Sequence, residues 1–206
     1  MQTVFVYEPD MRALSVNKSE IYRYLGYTKQ AEVTGNIDAL VDEVLENVLK
    51  GSTPKVCYKR FDLAFNNDIG IDFGFMRVES RDLTSNLSGC HEAVVFAATI
   101  GLYTDRQIQR ETILSPAKAC VYQAVGAAVI EAVCDDFNEW FRASETLSGN
   151  ELKPRYSPGY GDVSLEVQKD IFRELNCAKM AGITLSDSLH MIPEKSVTAI
   201  IGIKKN

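Results

Sequence analysis

The chain has 206 residues, 46% apolar and 24% charged, a globular balance that excludes a disordered or fibrous polypeptide. It can bury one sizeable core without a disulfide or metal staple. With 22 Lys and Arg against 28 Asp and Glu, its net charge of −6 gives no electrostatic basis for binding nucleic acid.

The elements follow in chain order. Residues 19–30 predict a short helix ended by Gly26. Ile37, Leu40, Val41, Val44, Leu45, Val48 and Leu49 then recur at the three-and-four spacing of one apolar helical stripe. Asn36 is placed to cap this helix and Gly51 to stop it. From residue 55 the period falls to two. Phe61, Leu63 and Phe65 alternate with polar or small neighbours, as do Ile69, Ile71, Phe73 and Phe75, and Asn66-Asn67-Asp68 between them predicts a hairpin turn. Residues 93–100 form a continuous apolar run that fits a central strand or a buried helical piece.

Ser115-Pro116 opens a helical region running to about Ser144, with Ser as N-cap and Pro in the first turn. Its middle, Ala124 to Ile130, is small and apolar on all sides, which predicts burial. Glu131 follows directly, and its carboxylate must be paired, solvated or turned to a ligand. It also interrupts the longest apolar stretch, Ala124 to Val133, well short of the about 20 residues of a membrane span. Residues 145–163 read as loop and 164–178 as a helix carrying Val167, Ile171 and Leu175 on one face, with Gly182 just past it. Ser196 to Ile203 reads as a β-branched strand. There is no repeat, no linker and no regular β-α alternation. The expectation is a single α+β domain over 1–206, a largely antiparallel β-sheet with flanking helices.

Few residues carry obvious chemistry. Cys57, Cys90, Cys120, Cys134 and Cys177 show no CxxC spacing and read as free, mostly buried thiols. That pattern, with no export signal at the start, points to the cytoplasm. Cys90-His91-Glu92 reads as a strand edge and Asp135-Asp136 as a solvated helix face. The sequence holds no nucleotide-binding glycine motif, no HExxH and no GxSxG. The exception is Arg155-Tyr156-Ser157-Pro158-Gly159-Tyr160-Gly161, preceded by Pro154. Prolines fix the backbone, glycines let it approach a ligand, and Arg adds a forked donor for a carboxylate. It reads either as a ligand loop or as a structural turn feeding the next helix.

This loop resembles the R-x-x-P-G-Y segment of the activation (reactivation) domain of cobalamin-dependent methionine synthase. The text downstream is similar too: Gly182-Ile-Thr-Leu-Ser-Asp-Ser, then Met191-Ile-Pro-Glu-Lys-Ser-Val. The likeness is strongest over 116–203 and includes the helix around Ile130-Glu131-Ala132. In that family the domain binds S-adenosylmethionine beside a corrinoid. Cob(II)alamin is reduced by one electron from a flavoprotein, and the resulting cob(I)alamin takes the methyl group. The domain acts by positioning the donor, so no acid, base or metal is required of it.

The resemblance implies a component of methyltransferase activity rather than a complete enzyme, and no catalytic residue. It implies that Arg155 contacts the methionine carboxylate and Glu131 its ammonium. Tyr156, Ser157 and Gly159 would offer backbone to the adenosine, and Tyr160 would lie near the methyl group. The chain departs from the family at Ala128, where an Arg is usual, and at Gly161, where a Pro often follows. The cobalamin-ligand motif D-x-H-x-x-G is absent. Cobalamin is therefore expected only on a partner, a methionine synthase or another corrinoid protein, with no nucleic acid or membrane involved. The remaining alternative is a non-enzymatic scaffold that keeps the fold without the ligand.

Overall fold

A computed structural model describes residues 3–28, 35–66 and 69–205. Its central sheet runs in the order β1 (Phe5–Tyr7), β2 (Lys55–Asp62), β6 (Glu92–Thr99), β10 (Ser196–Lys205) and β7 (Asn150–Leu152), every neighbour antiparallel. The run 93–100 is thus the middle strand, and its lack of alternation has a direct cause. Val94, Phe96 and Ala98 enter one core, while Ala93, Val95 and Ala97 enter a second on the opposite face. A strand covered on both faces has no solvent side to carry polar residues.

The first core is closed by α1 (Lys18–Tyr24), α2 (Gly35–Gly51), α4 (Tyr103–Leu114) and the long α5 (Pro116–Leu147). Val41, Val44 and Val48 of the predicted stripe are fully buried there. By length and composition α5 could cross a bilayer, yet 67% of its most apolar stretch is buried against the protein. It is a core helix. The second core lies under α3 (Arg81–Asn86), α6 (Val167–Leu175) and α7 (Cys177–Met180), with a small sheet of β3 (Ala64–Phe65), β4 (Gly70–Asp72) and β5 (Arg77–Glu79). A ribbon of β8 (Thr184–Leu185) and β9 (Met191–Ile192) completes the elements among the described residues.

Several expectations are corrected. The hairpin is shorter than its alternation suggests. Phe61 belongs to β2, only Ala64–Phe65 pairs with Gly70–Asp72, and Phe73 to Met76 forms a turn. Asn67 and Asp68, and residues 29–34, lie outside the described residues. Asn36 is inside α2 rather than capping it, and Ser115 precedes α5 without a side-chain capping bond. The loop expected at 145–163 contains the end of α5 and strand β7, because Ile203, Lys204 and Lys205 supply a partner edge to Asn150–Leu152. The helix expected at 164–178 is two. Asn176 adopts φ 49, ψ 49, a left-handed conformation Asn tolerates, and breaks α6 from α7.

Candidate functional site

Glu131 and Asp135 stand four residues apart on α5, so both carboxylates leave the helix on one face. The chain returns through β7 and Pro154, and Tyr156 then forms an antiparallel bridge with Ile200 of β10, exchanging both backbone hydrogen bonds at 2.8 Å. That anchor lays Arg155 against α5. One guanidinium nitrogen donates to Asp135 Oδ1 at 2.7 Å and the other pairs with Glu131 Oε2. The structure therefore brings the two charged residues singled out by sequence into direct contact.

The cluster stays open to ligand. The side chains of Arg155, Glu131 and Asp135 are 22%, 44% and 70% exposed. Arg carries five N–H donors, so bonding one from each terminal nitrogen leaves three. Glu131 Oε1 has no partner among the described residues. Two carboxylates against one guanidinium give the cluster a net charge of −1. Such a site offers a donor fork to a carboxylate, a free carboxylate oxygen to an ammonium, and a net field favouring a cation. Beneath it, burial pushes the Cys134 thiol up to about 12, which keeps it protonated and inert.

The loop after Arg155 is shaped by its glycines. Gly161 has φ +53, which proline cannot adopt, and a Cβ there would fall 2.3 Å from Asp82 Oδ2 and 2.4 Å from the Tyr156 hydroxyl oxygen. Proline therefore could not stand at this position of the loop. Asp162 then ties the loop to α3: Ser80 Oγ donates to its Oδ1, and the Arg81 amide donates to Oδ2 at 2.8 Å. These bonds, the Ser80 hydroxyl first, hold the Asp162 carboxyl below the usual carboxylate range.

The backbone of the loop divides into used and free groups. The Tyr156 amide bonds Ile200, and the Gly159 amide donates to Val163 O at 2.9 Å. Ser157 keeps a free amide among the described residues while its carbonyl accepts from the Tyr160 amide. Tyr160 is 70% exposed on the loop tip. Thr198, two residues before Ile200, shares its register and turns its backbone to the same edge of β10. Its backbone has no hydrogen-bond partner there among the described residues, but the residue is only 2% exposed and its hydroxyl accepts from Gln168 Nε2 at 3.4 Å. One turn along α5 from Glu131, Ala127 lines a cavity of about 460 Å³ together with Tyr24, Cys120, Gln123 and Lys195. Ala128, the position of the family's Arg, is buried in the first core.

A crystal structure of the MetH reactivation domain bound to AdoHcy superposes on this chain with a TM-score of 0.73, covering 98% of this chain and 78% of that one at 15% sequence identity. This chain has the MetH reactivation-domain fold. No protein-family model and no curated protein matches it. The expected α+β class with an antiparallel sheet is borne out by this fold.

Two residues that the sequence did not single out contact the cluster or its loop, Asp135 and Asp162. Asp136 accepts from the Tyr7 hydroxyl at 2.6 Å, while Asp135 does lie on a solvated face, 70% exposed, and pairs there with Arg155. The i+4 spacing of Asp135 from Glu131 was the available signal. Asp162 acts through contacts distant in sequence and gave no signal of its own. Cys90 is buried, Glu92 pairs with Arg60 at 2.8 Å, and no metal-type cluster occurs among the described residues.

Proposed function

We propose that this chain binds S-adenosylmethionine at the Glu131–Arg155–Asp135 cluster and presents its methyl group to a cobalamin carried by another protein. The observation that carries the reading is that cluster, a zwitterion-matching site of net charge −1, on a fold whose solved relative holds AdoHcy. In this reading the whole chain acts as one unit in the cytoplasm, in trans with a methionine synthase or a related corrinoid protein. A flavoprotein supplies the electron.

The residues divide the ligand between them. The remaining Arg155 donors take the methionine carboxylate, and Glu131 Oε1 takes the ammonium. The free amide of Ser157 receives the nucleoside, with the Gly159 carbonyl as a further acceptor, while both backbone groups of Tyr156 are engaged by Ile200 and support the loop instead. Tyr160, exposed at the loop tip, faces the incoming corrin. The partner's cofactor supplies the nucleophile that accepts the methyl. The chain's own contribution is to fix the sulfonium and leave its methyl side uncovered.

Calorimetric titration with S-adenosylmethionine and S-adenosylhomocysteine tests this. Saturable binding is expected for both, tighter for the methyl donor, whose sulfonium adds a positive charge beside a site of net charge −1. Absence of binding at millimolar ligand overturns the reading and leaves a scaffold of the same fold. Capture of a corrinoid protein by the immobilised chain, enhanced by the ligand, tests the role in trans.

A further inference from the structure

A cavity of about 450 Å³ lies where β6 ends and α4 begins, and none of its lining residues belongs to the Glu131–Arg155 site. Its wall includes Gly51, Gly101, Gly182, the Tyr103 side chain, Lys55 and Arg106. No Asp or Glu lines it, in a chain whose net charge is −6. Lys55 has only a loose carboxylate neighbour, Glu8 at 3.6 Å, and Arg106 has none among the described residues. Two cations with little local compensation face one concavity.

The backbone reinforces that charge. Gly101 takes φ +81 to turn β6 into α4, and a Cβ there would fall 2.4 Å from Thr53 Oγ1. Gly51 lies so close to Tyr103 that a Cβ would fall 2.5 Å from the ring. The N-cap of α4, Leu102, provides no capping side chain, so the first amides of this 12-residue helix lack a side-chain acceptor. Asp105, the acid of the first turn, is engaged by the Glu194 amide at 2.8 Å and does not line the cavity.

We infer that this cavity binds a phosphate-bearing small molecule. Lys55, Arg106 and the first amides of α4 hold the phosphate, and Tyr103 and Leu102 take the organic part. A phosphate dianion matches two cations and an uncapped helix start better than a single carboxylate does. The volume lies within the range of about 300–1,000 Å³ usual for small-molecule sites. The inference stands apart from the S-adenosylmethionine reading, since the two sites share no residue.

The test is titration with phenyl phosphate, with phenol as the uncharged control. Phenyl phosphate is expected to bind saturably and phenol not at all, with affinity falling as salt rises. Arg106→Gln and Lys55→Gln, both at exposed or half-exposed side chains, should each weaken binding roughly 10-fold or more, while Arg155→Ala leaves it unchanged. Circular dichroism verifies that the variants are folded. Phenyl phosphate binding no better than phenol at about 10 mM overturns the inference. So does an affinity that Arg106→Gln and Lys55→Gln leave intact.

Discussion

Removing the Arg155 side chain separates its service to the fold from its service to a ligand. In the free protein Arg155→Ala loses two charge-assisted hydrogen bonds, to Asp135 at 2.7 Å and to Glu131. Neither carboxylate becomes a buried orphan, because their side chains are 70% and 44% exposed and water replaces the guanidinium. The penalty of about 3–5 kcal/mol for stranding a buried charge therefore does not apply. Partly exposed pairs contribute about 0.2–1 kcal/mol each, so the folding cost is about 1–2 kcal/mol with the lost packing of the stem. For a chain of this size that lowers Tm by about 2–8 °C. The ligand's carboxylate loses a charge-assisted contact of about 1.5–3 kcal/mol, which weakens S-adenosylmethionine roughly 10–100-fold. Calorimetry on Arg155→Ala, with Arg155→Lys to keep charge without the fork, reads the second effect, and thermal unfolding reads the first. An affinity within about 3-fold of the parent in a folded variant refutes the assignment of Arg155 to the ligand. A fall in Tm well beyond 10 °C would instead make the cluster a structural lock, at odds with the exposure argument.

Gly161→Ala must hold Ala at φ +53, a left-handed conformation costing about 1–2 kcal/mol, and displace Asp82 or the Tyr156 hydroxyl. It should lower Tm and weaken S-adenosylmethionine together, and unchanged values of both would show that the loop relaxes freely. Asp162 has a carboxyl pKa depressed in the folded state. Its stabilisation is therefore present above the ordinary Asp value and is lost as pH falls through the folded one. The Tm gap between parent and Asp162→Asn should be constant near neutrality and close below about pH 4, and a gap that persists there contradicts the Ser80 and Arg81 clamp. Among the five thiols only Cys120 is exposed, so native maleimide labelling should modify one cysteine and labelling after denaturation all five.

The parts of this fold legible in the sequence are those whose side chains sample one environment over several turns. The stripe from Ile37 to Leu49 and the all-apolar middle of α5 each repeat their signal often enough to exceed local noise. β6 was legible as buried but ambiguous as strand or helix, because burial on both faces erases the period that would decide. β1 and β7 are three residues long and exist only because a longer strand offers an edge, so their own residues carry almost no pattern. The break at Asn176 is set by tertiary packing of Leu175 and Cys177 into the second core, and Asn is a weaker stop signal than Gly. At the site, the Pro/Gly framing made the loop visible, whereas the pairing of Arg155 with Asp135 depends on where β7 delivers the chain.

The bridge between Tyr156 and Ile200 gives the 155–161 loop and the sheet a common moment of completion. A nascent chain paused before Ser196 presents β6 with one edge bare, and the segment 155–161 has no strand to dock against. In the proposed function, ligand competence is then acquired together with the closing of the sheet. Each polypeptide under synthesis passes through a stage in which an apolar central strand lacks one neighbour, the stage at which a chaperone has most to shield and a stray strand most to gain.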